Sequence, residues 1–366
     1  LDFLMEVVFI CTKSITFNTF LKSQAIYLSK KGFKVKVACS DIENLNFKNK
    51  LNHTIDFPTK YTDLINIFKY VKIFLQIKEL IKKNRTSIFY LHTPVASHLF
   101  RLFSILYRLK IVYFVHGFRF TSKTNFLRSI FFKIIEKILS LKTNVFITIN
   151  NEDFYYTKHN LFTKVPTYKI NGVGLDLHKK QSNFLLKKKN KIHKILVIGA
   201  YKKSKGYIDL LKIADLLKKQ DFKIECYGYG NHKKFQFIKI KKKINNISFK
   251  KFDVNLKARI KDYDILLHLS KREGLPVSVM ECLAQGLPVI CNKIRGNSDL
   301  IKDGFNGFFV SSYKDVPNKI LYLSLEKEIF NRMRNNAINS ITKNFSKEKI
   351  NQTIYKIIKK NFRNSK

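Results

Sequence analysis

Short apolar runs rich in valine, isoleucine and phenylalanine alternate with helix-period segments along this whole chain, and that alternation leaves few folds open. A short run apolar on both faces is buried on both faces, as happens in a parallel sheet whose crossovers are helices. In the first half, strands are expected at Val7–Cys11, Val35–Cys39, Ile88–Leu91, Ile111–Val115 and Val145–Ile149. Helices lie between them, such as Asn18–Lys31, which Gly32 stops. In the second half the runs recur at Ile195–Ile198, Ile224–Tyr227, Ile265–Leu269, Val289–Cys291 and Gly307–Val310. Between the halves lies KKQSNFLLKKKNKIHK, Lys179–Lys194, which is polar, basic and without period. The expected organisation is therefore two doubly wound, Rossmann-like α/β domains, 1–178 and 195–345, joined by a linker at 179–194. Residues 346–366 read as a helix packing back on the first domain. Two such sheets would gather their carboxyl ends around one cleft, where doubly wound folds take ligands.

Residues 270–291, SKREGLPVSVMECLAQGLPVIC, carry the most chemistry. A buried strand ends at Leu269, Ser270 to Leu275 form a tight loop, and Pro276 suits the first turn of a helix because its missing N–H has no partner there. The helix Val277–Ala284 stops at Gly286, and a second Gly-Leu-Pro feeds the next strand. A helix N-terminus beside the carboxyl end of a parallel strand offers free N–H groups and a positive dipole end, a ready phosphate site. Glu273 sits in the loop and Glu281 further along the helix, so both could reach polar groups of one phosphate-bearing ligand.

Two glutamates eight positions apart, filled with GLPVSVM and followed by AQGLPVI, resemble the donor-site signature of retaining glycosyltransferase family 4, the glycosyl transferases group 1, which has the GT-B fold. The resemblance runs from about Val7 to Val310. Residues 86–120, with His92-Thr93-Pro94 after one strand and His116-Gly117-Phe118 after the next, are similar to the family's branch that assembles bacterial capsule, O-antigen and exopolysaccharide. So are residues 144–177, where Asn171-Gly172-Val173 leads out of the first domain.

The resemblance implies a nucleotide-sugar donor, a UDP-sugar first among them, held by Gly199, Lys205, Glu273, Gly274, Leu275, Pro276, Glu281 and Asp299. It implies that Glu273 contacts sugar hydroxyls, Glu281 a ribose, and His116 the transferred sugar and diphosphate, with His92, Gly117 and Phe118 on the acceptor side. The acceptor of that branch is an undecaprenyl-diphosphate-linked glycan, and the sugars moved are of hexosyl or N-acetylhexosaminyl type. Lys205-Gly206 opens a helix, and its ammonium could neutralise a diphosphate by point charge, as a metal ion does elsewhere. The family often has arginine or glutamate directly after the glycine; here Ala200 stands there, and Lys202 or Lys203 could substitute. Gly228 and Gly230 end a further strand near the expected nucleobase. Asp262-Tyr263-Asp264 imitates a D-x-D metal motif but leads straight into a buried strand and reads as an element boundary, so no catalytic metal or other cofactor is expected.

Composition sets the partners. Seventy Lys and Arg against 26 Asp and Glu give a formal net charge of +44, which must attract nucleic acid, an acidic polymer or an anionic membrane leaflet. The lysines are spread over helices, loops and termini, and no zinc-finger or RNA-recognition signature is present, so nucleic acid is not the expected partner. A GT-B epimerase or phosphorylase would share the architecture, but the glutamate pair in its context disfavours both. Five scattered cysteines, Cys11, Cys39, Cys226, Cys282 and Cys291, fit buried thiols in a reducing cytosol. No uncharged run is long enough to span a bilayer, and Val7–Cys11 is too short for a signal peptide. Segments 64–83 and 126–141 are apolar along a broad face with basic residues among it, which suits docking on the inner face of the cytoplasmic membrane.

Overall fold

The computed structural model describes residues 5–47, 52–59, 67–121, 124–177 and 192–362. The chain divides into two compact units, Leu1–Gly174 with Lys347–Lys366, and Leu175–Ser346. The first unit holds strands β1 (Glu6–Ile10), β2 (Lys34–Cys39), β3 (His53–Thr54), β4 (Ile88–Leu91), β5 (Lys110–Val115), β6 (Val145–Thr148) and β7 (Thr167–Lys169). All are parallel, in the order β3-β2-β1-β4-β5-β6-β7. The second holds β8 (Lys194–Ile198), β9 (Lys223–Gly228), β10 (Ile247–Lys251), β11 (Ile265–His268), β12 (Val289–Asn292) and β13 (Gly307–Val310), again all parallel, in the order β10-β9-β8-β11-β12-β13. Strand order reverses beside β1 and β4 in one sheet and beside β8 and β11 in the other, which opens a crevice at those carboxyl ends.

The central strands are those the apolar runs mark. β4, β6 and β11 are buried at every residue, as sheets covered by helices on both faces require. Strands β3, β7 and β10 carry no such run, and each is an edge strand. An edge strand has one neighbour and more contact with water, and the lysines of ISFKK in β10 suit that place because charge discourages edge-to-edge pairing. The first helical segment differs from the expected Asn18–Lys31. It starts at Ser14, whose N–H and hydroxyl both donate to the Asp41 carboxylate at 2.7 and 2.9 Å, and winds through a π-helical stretch, Phe17–Leu21, before the α-helix Lys22–Lys30.

The C-terminal helix Lys347–Phe362 belongs to the first unit and lies against Lys22–Lys30. Asn351 donates to the Ser23 carbonyl, and the Tyr355 ring meets Tyr27 and Phe33 edge-on. Of the stretch read as a linker, all but Ile192–Lys194 lies outside the described residues. All five cysteines are buried and free.

Arg101, which interrupts an apolar window in the sequence, is wholly buried. Its guanidinium lies 4.3 Å from the Tyr113 ring centroid and donates to Glu136 Oε2 at 2.8 Å, while His98 Nε2 holds Glu136 Oε1 at 2.6 Å. The cluster ties helix Pro94–Phe103 to helix Phe126–Ser140. Burial alone would raise the Glu136 carboxyl, but Arg101 and His98 hold it down at about 2.

Candidate active site

In the second unit, six expected donor-site residues, Gly199, Lys205, Glu273, Gly274, Leu275 and Pro276, follow the carboxyl ends of β8 and β11. Strand β8 runs into Gly199 and then a short 3₁₀ turn, Lys203–Lys205. Gly206 follows with φ +80°, and a Cβ there would meet the Leu269 carbonyl oxygen at 2.4 Å, so only glycine lets this turn pack on the end of β11. The turn is fixed from both sides: Lys271 N–H donates to the Ser204 carbonyl, and Tyr207 hydroxyl to the Gly199 carbonyl at 2.6 Å. These bonds bring Lys205 Nζ to Glu273 Oε1 at 2.5 Å.

Glu273 is the focus of the cluster. Burial would raise its carboxyl, but the nearby His268 and the Lys205 ammonium bring it down to about 2, so it is a carboxylate at neutral pH. His268 Nε2 stands 3.5 Å from the same Oε1, close enough for electrostatic contact and too far for a good hydrogen bond. The loop backbone is held by Arg295, whose Nε donates to the Glu273 carbonyl at 2.9 Å, and by Asn292, which donates to the Leu269 carbonyl. Gly296, at φ +80°, passes so close that a Cβ would meet the Gly274 carbonyl oxygen at 2.4 Å.

Leu275 and Pro276, which close the loop, are buried. Pro276 occupies the N-cap of helix Val277–Ala284, one residue before the expected position, and no side chain caps that helix. Its first N–H groups therefore keep their capacity for an anion. Val277, Ser278, Glu281 and Gln285 form the helix's partly exposed stripe, at the spacing of one helical face. Glu281 Oε1 lies 3.7 Å from Lys257 Nζ. Asp299 falls in the short helix Asn297–Leu300 and is partly exposed. At the neighbouring strand ends, Tyr229 and Phe252 stack at 4.0 Å, both exposed, beside Gly228 and Gly230. The Asp264 carboxylate accepts the His193 and Lys194 N–H groups at 2.8 Å, where it anchors the start of β8. Among the described residues no group of three or more His, Cys, Asp or Glu is placed to hold a metal ion.

In the first unit, His92 directly follows β4 and His116 directly follows β5, and His92 Nδ1 meets His116 Nε2 at 3.1 Å. His92 is fully buried and His116 partly so. Burial pushes both imidazoles toward neutrality, His116 to about 4, and His92 well below its usual value with His116 adding to the effect. Gly117 has φ +127°, which lets the chain turn out of β5 directly after the histidine. Phe118 is buried, stacked on Phe120 at 5.1 Å and met edge-on by Tyr156, so its side chain supports the loop from below.

Sequence reasoning missed His268 and Arg295. His268 carries the signal that singled out His92 and His116, a histidine closing a buried strand. Arg295 bears no such signal, because its role is a hydrogen bond to a backbone carbonyl of another loop.

Comparison with known proteins bears on the family and the fold. The family described as Glycosyl transferases group 1 matches residues 178–340, and the one described as Glycosyl transferase 4-like matches residues 9–150. The chain is similar to the putative glycosyltransferase EpsD of Bacillus subtilis, 26% identical over 322 residues, 83% of each chain. It is also similar to the UDP-Gal:alpha-D-GlcNAc-diphosphoundecaprenol alpha-1,3-galactosyltransferase of Escherichia coli, 24% identical over 305 residues and 77% of each. Among solved structures, the sucrose-phosphate synthase of Thermosynechococcus elongatus superposes with a TM-score of 0.79 at 12% identity, covering 99% of this chain and 100% of that one. Anabaena HepE in complex with UDP and glucose superposes with a TM-score of 0.75 at 14% identity, covering 97% and 100%.

Proposed function

The chain belongs to the group 1 glycosyl transferases and has their GT-B fold, and on that premise we propose that it moves a sugar, with retention, from a UDP-sugar to a lipid-linked glycan in bacterial surface-polysaccharide synthesis. The observation that carries the donor assignment is the Lys205–Glu273 pair beside the uncapped start of helix Val277–Ala284. That arrangement sets a cation and free N–H groups, both suited to a diphosphate, next to a carboxylate suited to sugar hydroxyls. The relatives favour the same chemistry: the E. coli enzyme is named for a UDP-sugar and a diphosphoundecaprenol acceptor, and HepE was solved with UDP and glucose.

In this reading Glu273, ionised at neutral pH, accepts hydrogen bonds from the donor sugar, and Glu281 takes the ribose. Gly199, Gly274 and Asp299 complete the donor pocket. His116, at the carboxyl end of β5, offers a polar group to a sugar, and Gly117 gives the backbone room beside it. The bond from the anomeric carbon to the β-phosphate oxygen breaks while the acceptor oxygen bonds to that carbon from the same face. The acceptor's proton passes to the leaving phosphate. Lys205 and the helix N-terminus stabilise the charge that develops on the diphosphate, the task a metal ion performs in other transferases.

The acceptor's lipid places the work at a membrane surface. No described helix is long and apolar enough to cross a bilayer. Helices Ile67–Lys83, Pro94–Phe103 and Phe126–Ser140 pack side by side, and Phe68, Leu75, Phe126, Leu127 and Phe131 on them, with Leu106 in the turn after the second, are more than half exposed. Basic residues interleave with them, so this face suits peripheral docking on an anionic leaflet.

The test is transfer, followed by mass spectrometry, from a panel of UDP-, GDP- and TDP-sugars to lipid-linked acceptors in a membrane extract, with and without EDTA. One UDP-sugar should be transferred in both conditions. Consumption of no donor, together with salt-sensitive nucleic-acid binding, would overturn the reading.

A further inference from the structure

His92 is set in place more firmly than a strand-end residue needs. Its ring is stacked on Phe9 at 5.7 Å and 8°, met by Tyr90 at 4.3 Å, and backed by Phe114 at 5.3 Å. The backbone N–H of His92 donates to the Ile10 carbonyl at 2.7 Å. The next residue, Thr93, has φ +62°, a conformation a β-branched residue avoids. It is pinned there by its hydroxyl, which donates to the His92 carbonyl at 2.6 Å and contacts the Thr12 hydroxyl at 2.7 Å and N–H at 3.1 Å. Strain held this way persists where the surroundings over-determine it, and here it aims one imidazole. Among the described residues, the ring's Nδ1 meets His116 Nε2, and its Nε2 is buried with no hydrogen-bond partner.

That last fact decides where the protons sit. The 3.1 Å contact between two neutral imidazoles holds one hydrogen. If His116 donated it, the proton of His92 would have to sit on Nε2, an orphaned N–H inside an aromatic cage. If His92 donates, only a lone pair is left without a partner, and buried N–H groups go unpaired more rarely than acceptors do. Accepting at Nε2 then obliges His116 to carry its own proton on Nδ1.

We propose that His92 is a positioning residue that locks His116 as the Nδ1–H tautomer, so that His116 meets its ligand as a hydrogen-bond donor with no lone pair free to abstract a proton. This rests on the reading of His116 as a site residue, and it sharpens that reading. A donor-only imidazole suits an oxygen that gains negative charge or a sugar hydroxyl that accepts, and it leaves the acceptor's deprotonation to the departing phosphate.

The experiment is ¹⁵N-detected imidazole NMR on the full chain at neutral pH. His116 should show a protonated Nδ1 and an unprotonated Nε2, the reverse of the tautomer free imidazole side chains prefer in water. An Nε2–H signature in the wild type overturns the proposal, and that measurement needs no variant. His92→Phe, which preserves the aromatic stack, should return His116 to the solution mixture and slow transfer on the order of 10- to 100-fold. His92→Gln, whose amide can donate to His116, should restore part of both signals; restored activity without the restored tautomer would count against it. His116→Ala separates the two readings. If it transfers sugar normally while the wild type shows Nδ1–H, the functional role of His116 fails and the tautomer lock stands. If it is inactive while the wild type shows Nε2–H, the lock alone fails.

Discussion

Lys205 and Glu273 come from loops after two neighbouring parallel strands, β8 and β11, and their side chains close an ion pair of 2.5 Å. The loops also meet through their backbones, where Lys271 N–H donates to the Ser204 carbonyl, and side chains of Tyr207, Arg295 and Asn292 hold their carbonyls. Glu273→Gln keeps size and one acceptor but removes the charge that Lys205 and His268 face. Turnover should fall on the order of 10²-fold, the usual effect of removing one preorganised electrostatic contact. Thermal stability should move by only a few degrees, because Lys205 is partly exposed and can hydrate. Steady-state kinetics beside a melting curve checks this, and unchanged kcat would remove Glu273 from the site.

A second prediction concerns the ground under that loop. A Cβ at Gly296 would stand 2.4 Å from the Gly274 carbonyl oxygen, and the backbone there has φ +80°. Gly296→Ala must therefore shift the segment that carries Glu273. About 1–3 kcal/mol of stability should be lost, and the KM for donor should rise. Urea unfolding and donor titration would show both; a variant as stable as the parent would mean the two loops are not in contact.

How far the sequence discloses the molecule depends on where each residue gets its hydrogen bonds. The central strands announce themselves because burial on both faces demands apolar runs, as in IFYL of β4 and ILLH of β11. Edge strands such as ISFKK do not, because half their surroundings are water. Glu273 and Lys205 are legible through their local pattern, being set between glycine and proline signals that shape their loops. Arg295 and the Glu136 cluster are not: their partners lie 22 and 35–38 positions away, and no local period links them. Thr93 is the plainest case, since nothing in H-T-P shows that its backbone takes a positive φ held by Thr12.

The Glu136 cluster gives a third prediction. Glu136→Ala leaves Arg101 wholly buried without its carboxylate, so stability should drop by about 3–5 kcal/mol. Replacing Arg101, His98 and Glu136 together by apolar residues of like volume should cost much less than the single change. Chemical denaturation of the two variants decides between a charge that holds the helices together and a charge that merely tolerates its partners. A triple variant weaker than Glu136→Ala would reverse the argument.

Acid stability follows from the same groups, with signs that add. His116 has a folded-state value of about 4 against an ordinary 6.5, so between those limits the unfolded chain binds the extra proton, and stability falls as pH drops through that window. His92 is lowered as well and acts in the same direction. Glu136 and Glu273, each near 2 against 4.5, contribute stability that is present above 4.5 and is lost as pH falls toward 2. Unfolding midpoints should thus decline in two stages, first from about pH 6.5 and then below about 4.5. His116→Phe should flatten the first stage and leave the second. A midpoint that stays level from pH 7 to 5 would show that the two histidines are not buried as neutral groups.

The last prediction tests the membrane face. Helix Phe126–Ser140 exposes Phe126, Leu127, Phe131 and Ile134, with Arg128, Lys133 and Lys137 among them. Aromatic and aliphatic side chains supply the insertion, and each basic residue near an anionic surface adds about 1 kcal/mol. Changing Arg128, Lys133 and Lys137 together to Gln should therefore weaken binding to phosphatidylglycerol vesicles by about 3 kcal/mol, on the order of 10²-fold. Binding to zwitterionic vesicles should change little. Phe126→Ser with Phe131→Ser should lower binding to both vesicle types, because it removes the apolar part that does not depend on lipid charge. The same variants give a readout at the site: transfer to a water-soluble acceptor analogue should survive in each, while transfer to lipid-linked acceptor in vesicles falls. Equal loss with both acceptors would place these residues in the catalytic unit's folding, and no loss of vesicle binding would turn the basic charge back into a property of composition alone.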